Sequence, residues 1–263
     1  MRALYSAATG MMAQELNVQV ISNNIANMRT TGYKRQQAHF QDLLYQTMRR
    51  AGATTSAQDT QTPSAVEIGS GVKAVSTARA MSQGNLTPTE RDFDIAIRGE
   101  GFFQVNLPDG RIAYTRDGGF DLDGQGRLVT KDGYEVAPGI TIPEDVQSVS
   151  ISAAGHVEVT RAGAAEPEEV GRLQLVRFVN EVGLESLGDN LFGATAASGA
   201  PAEGLPNEEG FGSLQQGYLE EANVNAVTEI SALISAQRAY EMNSRVISAA
   251  DQMLQAASQM FRG

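Results

Sequence analysis

Cysteine is absent from this chain of 263 residues, which excludes disulfides, thiol catalysis, thiolate zinc sites and iron–sulfur clusters together. Histidine is almost as scarce. His39 and His156 are the only two, so little imidazole chemistry is open to the protein. No run approaches the roughly 18 to 20 consecutive apolar residues that cross a bilayer. The opening Met1-Arg2-Ala3-Leu4-Tyr5-Ser6 leads into Met11-Met12-Ala13-Gln14-Glu15, and its polar residues interrupt the apolar core that a secretory signal needs. The expectation is a chain that stays in the cytoplasm or is exported without a cleaved signal, with no direct membrane insertion. Positive charge is short as well. Lys and Arg number 20 against 31 Asp and Glu, a formal net charge of -11, and phosphate binding needs the opposite balance, so no nucleic-acid partner is expected. The imbalance is uneven. Arg2, Arg29, Lys34, Arg35, Arg49 and Arg50 face only Glu15 and Asp42 within residues 1–50, either as scattered solvated charges or as a basic arm that docks on acidic neighbours.

With 41% hydrophobic residues the chain has enough apolar matter for a sizeable core. Residues 3–27 hold no proline and a single glycine, Gly10. Alternating steps of three and four pick out Leu4, Ala7, Met11, Gln14, Val18, Ile21 and Ile25, which predicts a helix with one apolar seam and one polar break. The helix is expected to end at Thr30-Thr31-Gly32. Residues 223–261 contain neither proline nor glycine, and Leu233, Tyr240, Ile247, Leu254 and Phe261 recur every seventh position. Ala236, Asn243, Ala250 and Ala257 each follow three residues later, so large and small side chains alternate along the seam. The two helices either pair within one monomer or present their seams to other copies. Even a pair leaves part of the stripe uncovered.

The middle reads differently. Short apolar runs such as Asp94-Ile95-Ala96-Ile97, Phe102-Phe103-Gln104-Val105, Leu128-Val129 and Val149-Ser150-Ile151 alternate with turn signals at Pro108-Asp109-Gly110, Asp123-Gly124, Lys131-Asp132-Gly133 and Ala154-Gly155. The expected fold class is α+β: long N- and C-terminal helices paired in a coiled-coil-like axial domain, with a central all-β domain. The expected divisions are 1–45 for the first helix and turn, 46–75 for a polar extension, 76–215 for the β domain and 216–263 for the last helix. Residues 50–65 are polar and are expected to be a flexible extension. Residues 194–210, rich in Ala, Gly, Pro and Glu, read as a loop leaving the β domain.

Chemistry is hard to find. Asp121-Leu122-Asp123-Gly124-Gln125-Gly126 imitates the start of a calcium loop, but Gln125 replaces the usual acid or amide, the bidentate Glu is missing and both flanks read as strands. A hairpin turn is the better reading. Gly99-Glu100-Gly101 lacks the third glycine and following helix of a dinucleotide fingerprint. His39 and His156 have no second imidazole or serine motif to work with. No catalytic residue, metal site or cofactor is expected, and an enzyme is not.

Ile21-Ser22-Asn23-Asn24-Ile25-Ala26-Asn27 followed by Thr30-Thr31-Gly32-Tyr33-Lys34 resembles the N-terminal signature of bacterial flagellar rod and hook proteins. Gly84-Asn85-Leu86-Thr87-Pro88-Thr89 through Gly101-Phe102-Phe103, Tyr114-Thr115-Arg116-Asp117-Gly118-Gly119-Phe120 through Thr130, and Ser235-Ala236-Gln237-Arg238-Ala239-Tyr240-Glu241-Met242-Asn243-Ser244 are similar to further blocks of that family. The likeness is weakest between about 140 and 215. The opening residues and the extension, here Gly52 to Gly71, point to the distal-rod type. The proximal rod type is the alternative within the class, and an extracellular β-rich binding protein the alternative outside it. The resemblance implies a structural subunit that polymerises with itself into a rigid hollow helical tube, which carries torque to the hook and forms part of the export channel. The implied partners are further copies, the proximal rod proteins, the hook protein and the surrounding L-ring and P-ring proteins. It also implies a place in the periplasm-spanning rod of the basal body, reached through the flagellar type III system. The residues expected at assembly contacts are Leu4, Met11, Val18, Ile21, Ile25, Leu233, Tyr240, Ile247, Leu254 and Phe261. The extension is expected to stiffen the tube by lying across a neighbouring subunit.

Overall fold

The fold comes from a computed structural model, which describes residues 2–52, 63–161 and 166–260. Two long helices bracket a β-rich middle: α1, Arg2–Ala26, and α2, Ala226–Met260. Each fills a stretch free of proline. The last turn of α1 gives way to Thr30-Thr31-Gly32, where Gly32 has φ +68°, a conformation that costs a residue with a Cβ. α2 starts with a side-chain cap, the amide of Thr228 donating to Asn225 Oδ1 at 3.1 Å. Glu229 lies in its first turn, where the helix dipole favours an acid.

The chain divides into two units. The first comprises residues 1–25, 36–78 and 225–263, and holds both helices with a two-stranded ribbon. In the ribbon, Gln36–Asp42 pairs with Val72–Arg79, and Tyr45–Arg49 pairs antiparallel with Val66–Gly69. Residues 36–49, placed by the sequence reading in a turn and a polar extension, are largely strand. The ribbon meets α1 at Gly71, whose φ is +112°. A Cβ there would collide with the Thr9 hydroxyl, which itself accepts the Val72 amide at 3.4 Å. The flexible extension read over 50–65 falls mostly outside the described residues.

The second unit, residues 26–35 and 79–224, is the β body. Its largest sheet has seven strands in the order Glu185–Gly188, Leu191–Gly193, Ile112–Thr115, Phe103–Asn106, Glu135–Val136, Leu128–Thr130 and Phe120–Leu122. Val146–Ile151, His156–Arg161 and Glu168–Arg172 form an antiparallel triplet. Strand alternation sends Ile95, Ile97, Phe103, Phe120, Val136, Val157, Val159, Leu173 and Leu175 into one core. A second cluster packs Val176 against Phe102, Tyr114, Phe178 and Phe192, whose rings meet edge to face. The loop expected over 194–210 contains a short strand, Ala202–Gly204, which completes its hydrogen bonds on Leu175–Arg177. The imitation calcium loop is a hairpin turn: Asp123 Oδ1 accepts the amides of Gln125 and Arg127 at 2.9 and 2.8 Å, and Oδ2 accepts Arg127 Nε at 2.8 Å.

Candidate assembly interface

In the helical unit, two contacts fix how α1 and α2 meet. Asn24 Nδ2 donates to Glu229 Oε2 at 3.0 Å, and Gly10 lies so close to Asn243 that a Cβ would sit 2.8 Å from its Nδ2. Both pairs of residue numbers add to 253, so the helices run antiparallel and the start of α1, Arg2, lies level with about residue 251 of α2. The last ten residues of the described α2 continue past it, about 15 Å at 1.5 Å per residue.

The seam is made of small and polar groups. Ala7, Ala13, Val20, Ile21 and Asn24 are buried on α1, and Glu229, Ala236 and Ala250 on α2. Glu229, Ala236, Asn243, Ala250 and Ala257 recur every seventh residue, the repeat that keeps one side of a helix facing its partner. Alanine there lets the backbones approach closely. Asn24 and Glu229 are each 0% exposed. Asn24 also exchanges two hydrogen bonds with the Gln36 backbone, at 2.8 and 2.9 Å, which tie the start of the ribbon to the seam. A buried carboxylate needs such a donor to offset its lost hydration.

Of the ten residues expected at assembly contacts, Ile21 is buried within the seam. Leu4, Met11, Val18, Ile25, Leu233 and Ile247 are half-buried, and Tyr240 and Leu254 stay exposed at 44% and 46%. Phe261 lies outside the described residues. The large line of α2 therefore flanks the intramolecular seam, which the intervening small line occupies. Sequence reasoning missed Ala13, Val20 and Glu229 as buried positions. The seven-residue spacing of Glu229 from Ala236 was the signal available for one of them.

Val18 and Tyr240, with Glu15, Gln237 and Glu241, line an open groove of about 570 Å³ between the helices. Exposed apolar side chains gather on this unit. Seventeen of the 23 exposed large hydrophobics among the described residues belong to it, including Met12, Leu44, Met48, Val227, Met242, Met253 and Met260. Its charge balances as well, with seven basic and seven acidic residues. The β body holds the remaining 13 and 24, so it carries the whole net charge of -11. A unit with no net charge and an uncovered apolar surface has the composition of an unformed interface.

The β body is polar outside and tightly tied inside. Lys34 Nζ lies 2.6 Å from Glu220 Oε1, and Arg116 Nε 3.2 Å from Glu220 Oε2. The second contact lacks hydrogen-bond alignment and is held by charge alone. Lys34, Arg116 and Glu220 are 2%, 5% and 1% exposed. Burial, with Arg116 beside it, pushes the Lys34 ammonium below its ordinary pKa, against the pull of Glu220. A cavity of about 380 Å³ opens beside Arg116, edged by Gln83, Glu100 and Glu181. Burial raises the Glu181 carboxyl although Arg116 and Lys34 pull it down. A second cavity, about 360 Å³, is lined by Arg29, Thr31, Asp117, Lys131 and Asn190. Burial raises the Asp117 carboxyl against the Gly119 amide, which donates to it at 3.0 Å. His39 is exposed, and His156 pairs with Glu169 at 2.7 Å. Among the described residues no cluster of His, Asp and Glu has the makings of a metal site, and no helix is long and apolar enough to cross a membrane.

Comparison with known proteins gives three family matches in chain order. Residues 4–34 match the flagella basal body rod proteins, 96–159 the D1 domain of the flagellar hook protein FlgE/F/G, and 215–260 the C-terminal region of the flagellar basal body rod FlgEFG proteins. The chain is 56% identical to the flagellar basal-body rod protein FlgG of Caulobacter vibrioides over 260 residues, covering 99% of each. It is 49% identical to FlgG of Agrobacterium fabrum over the full length of both. The flagellar hook-basal body complex protein FlhP of Bacillus subtilis is more distant, 31% identical over 97% of each chain.

Proposed function

The chain belongs to the flagellar basal-body rod protein family, of the FlgG or distal-rod type, and on that premise we propose that its helical unit is the contact surface through which copies build a tube. The protein is structural and not an enzyme. The observation that carries the proposal is the concentration of uncovered apolar side chains on the helical unit, which has no net charge. Each apolar Å² removed from water contributes about 25 cal/mol, and unlike surfaces joined head to tail generate a helix that does not close. The contacts run through Leu4, Met11, Val18, Ile25, Leu233, Tyr240, Ile247, Leu254 and Phe261, with Ile21 serving the seam inside each copy.

The finer reading adds the neighbours and the route. Copies meet proximal rod proteins at one end and the hook protein at the other, pass through the L- and P-rings, and reach their place through the type III channel. The tube carries torque, and the 46–75 extension stiffens it. Replacing Tyr240 and Leu254 with serine tests the central claim. The expected result is a chain with unchanged circular dichroism that fails to polymerise and leaves cells non-motile. Normal polymers from that variant would overturn the proposal.

A further inference from the structure

The three family segments lie far apart in the chain, yet one buried ion cluster takes a residue from each. Lys34 closes the first, Arg116 sits in the second and Glu220 in the third. Its ion pairs span long loops: Lys34 and Glu220 are 186 residues apart. Glu220 also accepts the Gly84 amide at 2.9 Å, and its backbone carbonyl accepts the Gly32 amide at 2.8 Å. Lys34 gives a further hydrogen bond to the Ser82 carbonyl at 3.0 Å. Arg116 reaches the carbonyls of Gly99 and Gly101 at 2.9 and 2.7 Å. Two cations thus share one fully buried carboxylate, while Glu181, half-exposed, and Glu100, exposed, sit at the rim of the cavity beside Arg116.

The energetics of this arrangement are one-sided. A cation enclosed without its partner is far less stable than one left in water, and enclosing two is worse. Closing the turn of residues 30–35 over Lys34 is therefore unfavourable without Glu220 in place. Glu220 is contributed by Tyr218–Glu220, which pairs with Leu86–Pro88. The longest loops are also the last whose closure entropy is recovered.

We propose that Glu220 is a folding latch. The β body forms its hydrophobic sheets first, and the segment 30–35 locks only when the C-terminal segment delivers the carboxylate. This goes beyond the role in assembly and holds whether or not the helical unit polymerises as described. The consequence is that a chain whose C-terminal segment has not yet arrived keeps the root of α1 open.

Refolding of the full-length monomer under pulsed hydrogen exchange tests the order. The amides of Gly32 and Gly84 are expected to gain protection in the last phase, after those of Val105 and Ala113 in the seven-stranded sheet. Protection of Gly32 together with or before the sheet would overturn the proposal. A second measurement separates charge from shape. Glu220→Gln strands two cations, and adding Lys34→Met removes one of them, so the double variant is expected to unfold at higher denaturant than Glu220→Gln alone. A double variant as weak as the single or weaker, or one that fails to fold with it, would sink the latch.

Discussion

At Gly118 the β body has no room for a methyl group. A Cβ there would run into the carbonyl oxygen of Ile95, whose own amide donates to Gly118 O at 2.9 Å. Gly118→Ala is therefore expected to destabilise the protein by about 1–3 kcal/mol, read as a lower midpoint in chemical denaturation. Gly110 has open space around it but a φ of +80°; alanine there carries only the backbone cost, about 1–2 kcal/mol. Asp117 gives the β body a pH dependence. Its folded pKa is raised, so the folded state holds the proton more tightly than the unfolded one. Stability from this group is complete below its ordinary value and declines as pH rises through the raised one. Asp117→Asn is expected to flatten that decline, which denaturation midpoints taken across the acidic range would reveal. The Lys34–Arg116–Glu220 cluster belongs to the same scale and could not be read from the sequence. Each residue sits in an unremarkable local context, and only the folded chain brings together positions 186 apart.

Among elements, the helices were the most legible. Three-and-four spacing placed α1 within a residue or two of its observed ends, and the absence of proline and glycine placed α2 within about three. Which line of α2 would face α1 was not legible, because large apolar residues at regular spacing suit a partner in the same chain and in another copy equally well. Close approach decides it: Gly10 of α1 meets Asn243, and Ala236 and Ala250 on the same line of α2 are buried while Tyr240 stays 44% exposed. The ribbon of residues 36–49 and 66–79 was missed for another reason. Its outer strands are exposed on both faces, so they lack the alternation that marks a half-buried strand. The final ten residues of α2 have no helix beside them in the chain. In a verified monomer their amides are expected to exchange within seconds while those of residues 229–243 stay protected, and polymerisation is expected to slow them. Strong protection of 251–260 in the monomer would count against this reading.

For the whole molecule the separation of charge from apolar surface matters most. The unit that carries 17 exposed large hydrophobics has no net charge, and the β body has all of it. Contacts made by the helical unit are therefore expected to gain little from Coulomb attraction and to lose little to screening. Polymers should keep their disassembly temperature within a few degrees between about 0.05 and 0.5 M salt, measured by light scattering. A steep loss of polymer with added salt would show that charge, not burial, holds the copies together.

The unequal lengths of α1 and α2 have one more consequence. A pair of helices of the same length presents two similar tips, but here one tip is a double helix end and the other a single protruding rod. If copies stack in one direction along such an axis, as in the proposed tube, the shaft has a distinguishable top and bottom. An incoming copy then meets two chemically different ends.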